Sequence, residues 1–226
     1  MSTHSTPFTN PAAVASYPEE TLAKVPGLAD LHRMTALLLS ERAPGPARIL
    51  VVGAGGGLEL DAMAQARPDW RFTGVDPSPA MLDIARRTCT AHADRVELVE
   101  GTVDGAPAGP FSGATCLLTL HFLDRAERLH TLREIRRRLT PGAALVTAHH
   151  AAPDGDAERW LARSIAFPRR SGAEPEQGLS SAKTMAARLP LLSPAEEEAL
   201  LRQAGFAAPA LFYAAFSFRG WVAFAD

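Results

Sequence analysis

Gly53, Gly55 and Gly57 occupy alternate positions in "VVGAGGGLEL", with Ala54 between the first two. Glycine tolerates positive φ and lets a ligand approach the main chain. Asp76 follows about 20 residues later, at the end of an apolar run, where a carboxylate can accept hydrogen bonds from two ribose hydroxyls. The same acid, before Pro77, also suits a helix-capping turn. Loop and acid together point to a nucleoside ligand. A dinucleotide loop would place glycine three positions after Gly55, but Leu58 stands there, and no Lys-Ser or Lys-Thr closes the loop as in a triphosphate cradle.

Three histidines end two further apolar runs: His121 in "LTLHFL", and His149 and His150 in "LVTAHH". A neutral imidazole can take a proton from a hydroxyl, thiol or amine. His121 and His149 are the candidate catalytic residues, and His150 is a candidate substrate contact. The three histidines lack the helical pair spacing that fixes a zinc site, so no metal is expected. Tyr17 and Trp160 fall outside the central α/β run, where lids arise, and are candidate walls of an acceptor pocket.

The elements that must position these residues alternate. "RILVVG", "RFTGVD", "RVELVEG", "GATCLLTLHFL" and "AALVTAHH" read as strands. Helices are expected over "GLELDAMAQAR", over "SPAMLDIARRTCTAH" with Ser78 as N-cap, and over "ERLHTLREIRRRLT", closed by Pro141-Gly142. Before them, a short helix is expected over Asn10 to Ser16, and another over about Leu28 to Arg42. Alternation from Arg48 to His150 predicts an α/β, Rossmann-like, doubly wound and mostly parallel sheet. "SPAEEEALLRQAGF" reads as a helix capped by Ser193, and the last stretch as an antiparallel hairpin turning at Phe218-Arg219-Gly220. One domain over 1–226 is expected: an N-terminal helical lid (1–47), a core (48–150), a helical insert (151–192), and a C-terminal helix and hairpin (193–226).

The 23 Lys and Arg stand against 25 Asp and Glu, a net charge of −2, which gives no support to a nucleic-acid partner. The cationic run Arg133 to Arg138 reads as a solvated helix face. No apolar run has the length of a membrane span. Nothing at the N-terminus reads as a secretory signal. Cys89 and Cys116 form neither a disulfide framework nor a metal spacing, and a reducing, cytoplasmic setting is expected.

The glycine loop, Asp76, the segment after strand three and the "LTPGAALV" turn resemble class I S-adenosylmethionine-dependent methyltransferases. The resemblance implies S-adenosylmethionine as cofactor and S-adenosylhomocysteine as product. It places Gly53, Ala54, Gly55 and Gly57 against the methionine portion and Asp76 with Pro77 at the ribose. Thr102 and Val103 then flank the adenine, and Leu117 lines the cofactor site. "VPGLADLHRM", "LLTLHFLDRAERLHTLREIRRRLTPGAALV" and "LLRQAGFAAPALFYAAFSFRGWVAF" look like the carboxy-S-adenosylmethionine synthases of the tRNA wobble-uridine pathway. Those enzymes are homodimers that use prephenate to carboxylate the cofactor methyl group. This sequence departs from them at Leu28 (tyrosine there), Thr102 (an acid), Leu117 (asparagine) and His121 (glutamine). Lys183 stands near the place of their carboxylate-binding arginine and offers a point charge in place of a fork. Arg169 or Arg170 would be the alternative. The expected function is methyl transfer to a small-molecule acceptor by a homodimer. A synthase acting with prephenate is the alternative, and a non-catalytic nucleoside-binding protein is the third reading.

Overall fold

The computed structural model describes residues 17–151, 153, 155–168 and 175–226. The helix expected over Asn10 to Ser16, and Arg169 and Arg170, lie outside them.

Seven strands form one sheet: β1 (Ala47–Val52), β2 (Trp70–Asp76), β3 (Val96–Glu100), β4 (Phe111–Leu117), β5 (Leu139–His150), β6 (Phe206–Ala215) and β7 (Phe218–Ala225). Their order is β3-β2-β1-β4-β5-β7-β6. The first five run parallel, and β7 is antiparallel to both β5 and β6. The order reverses between β1 and β4, and open α/β sheets bind ligands outside the strand ends at such a point.

Among the described residues eight α-helices occur: α1 (Tyr17–Lys24), α2 (Leu28–Ser40), α3 (Leu58–Ala66), α4 (Pro79–Thr88), α5 (Arg125–Arg138), α6 (Ala157–Ala166), α7 (Pro175–Arg188) and α8 (Pro194–Gln203). Strand residues alternate between two cores. Val51, Val146 and Ala148 pack with Leu31, Leu39, Leu60 and Met63 of α2 and α3. Leu50, Cys116 and Leu145 pack with Leu132, Ile135, Leu200 and Leu201 of α5 and α8. Both sheet faces are therefore covered, as the continuous apolar runs require.

Four expectations are corrected. The fourth strand stops at Leu117, because Leu118 takes φ 56° and its N–H turns to Ala148 O at 2.5 Å. His121 then lies in the short 3-10 turn Leu120–Phe122 instead of on a strand. α5 ends at Arg138, and Pro141-Gly142 lie within β5, where its pairing with β4 shifts register. The hairpin turns at Phe216-Ser217, with Phe216 at φ 52°; Phe218 to Gly220 already belong to β7. Gly220 is small for packing, since an added Cβ would meet Phe212 and Tyr213 at 3.1 Å. Finally, the Arg133–Arg138 run is only partly solvated: Arg138 is buried, bonding Asp104 O, Ala106 O, Pro107 O and Glu134.

Candidate functional site

β1 delivers the glycine loop to the switch point. Gly53, Gly55 and Gly57 all take positive φ, at 75°, 51° and 81°. At Gly53 a Cβ would lie 2.0 Å from Thr119 Oγ1, so the segment after β4 crosses directly over the loop. Thr119 is held there by its bond to Leu117 O. At Gly57 a Cβ would meet the Ala85 main chain of α4 at 2.9 Å.

Four loop amides are used inside the protein. Gly53 and Ala54 N–H donate to Val75 O, Gly57 N–H donates to Ala54 O, and Gly55 N–H donates to Asp76 Oδ2 at 2.9 Å. A phosphate needs free amides; this loop instead offers close approach. Asp76 Oδ1 accepts Ser78 N–H at 2.9 Å. Each carboxylate oxygen thus has one partner, which leaves about two of its four acceptor sites open. Burial pushes the Asp76 pKa up, opposed by those two amide bonds. Asp76 therefore ties loop to turn and keeps capacity for a diol. Pro77 beside it is exposed. Ser78 caps α4 through Met81 N–H. Thr102 is exposed and donates to Asp104, Val103 is buried, and Leu117 is buried at the end of β4. A close-approach loop beside an acid with free lone pairs fits an adenosyl group.

The comparisons agree with this geometry. A methyltransferase-domain family model matches residues 49–142. Residues 49–142 carry a methyltransferase domain, of the class I S-adenosylmethionine-dependent kind. Its cofactor is S-adenosylmethionine. A carboxy-S-adenosyl-L-methionine synthase of Chromohalobacter salexigens is 28% identical over 94% of this chain and 81% of its own length. One of Salmonella typhimurium is 29% identical over 92% of this chain and 86% of its own. Among solved structures, PigF with SAH superposes at TM-score 0.68 and 20% identity, covering 95% of this chain; this chain spans 59% of PigF. A methyltransferase from a Haloferax volcanii complex with the Trm112 activator superposes at TM-score 0.64 and 20% identity, covering 96% of this chain and 97% of its own. These likenesses show the fold.

Beyond the loop lie the histidines, and the structure separates them. His149 and His150 are neighbours on β5 and face opposite sides of the sheet. His149 is buried beside Trp221, and its Nε2 lies 3.0 Å from Glu197 Oε1, outside hydrogen-bond geometry. The same oxygen accepts from Arg128 Nη1, and Arg128 Nη2 donates to Leu123 O and Pro190 O. This group ties α5, α8 and β5 together within the second core.

His150 faces the other side, stacked on Phe218 at 3.9 Å between centroids. Its Nδ1 lies 2.8 Å from Ser217 Oγ, which lies 2.6 Å from Ser164 Oγ on α6. The His121 ring stands edge-on to His150 at 4.9 Å, and its Nδ1 is buried without a hydrogen-bond partner among the described residues. Burial lowers the His150 pKa to about 3, with His149 adding to the effect. Burial, then His150, His149 and Arg128, hold His121 well below its ordinary value. Both rings are therefore neutral at pH 7.

Trp160 is half-buried on α6, Lys183 is exposed on α7, and Tyr17 is the first residue of α1. Sequence reading missed Thr119, Ser164, Ser217 and Glu59. Only Glu59 carried a signal, and it resembled an ordinary first-turn helix acid. It is buried, accepts from Thr115 Oγ1, and has its pKa raised by burial to about 8, opposed by that bond. Among the described residues no group of three metal-binding side chains occurs, and no helix is long and apolar enough to cross a membrane.

Proposed function

We propose that the protein transfers a methyl group to a small-molecule nucleophile, with the His121–His150 pair receiving the proton the nucleophile loses. The observation that carries this reading is the pair itself: two buried, neutral imidazoles in edge contact beyond the glycine loop. S-adenosylmethionine supplies an electrophilic methyl on a good leaving group. What remains for the protein is alignment, exclusion of water and proton removal. The glycine loop and Asp76 hold the nucleoside. Ser217, itself bonded to Ser164, holds His150 Nδ1, so Nε2 is the nitrogen left to exchange a proton. Burial keeps both rings neutral in the free protein, so the pair takes at most one proton, and only as the sulfonium loses its positive charge on methyl transfer. His149, on the other face with Glu197, serves the fold in this reading. Trp160 borders the acceptor. A cytoplasmic homodimer accords with the resemblance and with two buried free thiols.

The test is a screen for methylated product and S-adenosylhomocysteine with hydroxyl, thiol and amine acceptors. His121→Ala and His150→Ala are expected to lower kcat by about 10²- to 10⁴-fold while calorimetric affinity for S-adenosylhomocysteine stays within threefold. Full activity in both variants would remove the pair from the mechanism.

The curated relatives support a second reading, a carboxy-S-adenosylmethionine synthase, and the sequence resemblance would make prephenate its carboxyl donor. Mass spectrometry of co-purified ligand separates the two, since a carboxylated sulfonium would favour the synthase. Native mass spectrometry of the same sample reads the subunit number.

A further inference from the structure

Trp160, Arg163 and Arg219 form a cationic corner where α6 meets the start of β7. Arg163 Cζ lies 4.3 Å and Arg219 Cζ 5.7 Å from the Trp160 ring centroid. Arg219 is fixed: Nη1 donates to Phe216 O at 2.6 Å and Phe218 O at 2.7 Å. Its Nε and Nη2 bond nothing among the described residues. Neither arginine has a carboxylate partner there; the nearby Asp156 lies 3.8 Å from Arg159 instead. Arg163 is exposed and Arg219 half-buried, so water reaches both guanidiniums and an anion can approach them over the indole.

The corner adjoins the proposed reaction centre. Trp160 precedes Ser164 by four residues, so both lie on one face of α6. Ser164 bonds Ser217, which bonds His150. Arg219 pairs with His149 in the β5–β7 ladder and so leaves the strand on His149's side, but its guanidinium turns back to the β6–β7 turn through Phe216 O and Phe218 O, at the end of the sheet where the glycine loop emerges.

We propose that Arg219 and Arg163, on Trp160, bind a carboxylate carried by the acceptor. The word "acceptor" rests on the methyl-transfer reading, while the carboxylate site does not. A held guanidinium with two free donors is preorganised for a two-pronged bond to a carboxylate. A lysine, or a neutral amide in the ligand, would lose that fit.

The probe is benzoate, with benzamide as its uncharged counterpart, added to protein saturated with S-adenosylhomocysteine. The readout is the Trp160 indole N–H signal in ¹H–¹⁵N spectra, assigned with Trp160→Phe. Benzoate is expected to shift it saturably and benzamide at least about tenfold more weakly. Arg219→Met and Arg163→Met should each cost about tenfold in benzoate affinity. Arg219→Lys should keep the melting temperature and still lose most of the preference for benzoate over benzamide. Equal binding of the two probes, no binding of benzoate, or unchanged benzoate affinity in Arg219→Met would overturn the proposal. Because the complex is formed with S-adenosylhomocysteine, measured separately by calorimetry, failure here leaves the methyl-transfer reading intact; failure of cofactor binding would count against that reading alone.

Discussion

At the scale of single residues, Gly53 shows how much one missing methyl group decides. A Cβ there would meet Thr119 Oγ1 at 2.0 Å and Thr119 Cβ at 2.9 Å, with φ held at 75°. Gly53→Ala must therefore move the segment after β4 off the loop and also strain the backbone, at about 1–3 kcal/mol for the strain alone. Calorimetry should show S-adenosylhomocysteine affinity falling at least about tenfold. Gly53→Ala with Thr119→Ala should recover only part of it, since Cβ and the strain remain; full-strength binding in the single variant would mean that Thr119 does not cross the crevice. The glycines and Asp76 were legible in sequence because loop chemistry is local. Thr119, Ser164 and Ser217 were not, because each acts through a partner far along the chain: Ser164 and Ser217 are brought together only when α6 docks on the β6–β7 turn. The facing of His149 and His150 was hidden for a related reason. Strand alternation says that neighbours diverge, but only the packed helices say which side holds Glu197 and which holds Ser217.

At the scale of elements, the caps were the clearest text. Ser193 and Glu196 form a reciprocal capping box at the start of α8, with Pro194 in the first turn. One turn in, Glu197 reaches the buried Arg128 and His149. The cap therefore sets the helix start that carries the ion-paired group. Ser193→Ala should cost about 1 kcal/mol in urea unfolding, the usual loss of an N-cap. Glu197→Ala, which strands a buried guanidinium, should cost about 3–5 kcal/mol; a Glu197→Ala loss no larger than that of Ser193→Ala would show the pair to be exchangeable for water. Strands were legible as apolar runs, and their ends were not. The apolar run through Leu117, Leu118 and Leu120 continues past β4 because the turn beyond is itself buried: Leu120 and His121 are covered as fully as the strand. In the hairpin, Gly220 drew the eye as a turn residue, while the true turn used Phe216 at positive φ, which no propensity favours.

At the scale of the whole molecule, buried titratable groups of opposite sense set the pH of greatest stability. Burial lowers His32 to about 4 and His150 to about 3 from 6.5, and lowers His121 as well. Between those values and 6.5 the unfolded chain binds protons that the folded chain refuses, so stability falls as pH falls below 6.5. Each such group contributes a slope of about 1.4 kcal/mol per pH unit. Glu59 works the other way: burial raises it from 4.5 to about 8, and the bond from Thr115 only partly offsets this. Between 4.5 and 8 the folded chain holds a proton that the unfolded chain has released, so stability falls as pH rises through that window. Where the windows overlap, the histidines outnumber the acid and stability still climbs toward pH 6.5; beyond it only the Glu59 slope remains. Melting temperature should therefore peak near pH 6.5 and decline on both sides. Glu59→Gln keeps an acceptor for Thr115 Oγ1 and has no proton to lose, so its alkaline limb should flatten up to about pH 8 while the acid limb keeps its slope. Thermal melts from pH 5 to 8.5 on both proteins test this: a Glu59→Gln profile parallel to the parent's would show that the carboxyl is already ionised in the fold, and that a fixed negative charge lies beneath the glycine loop at neutral pH.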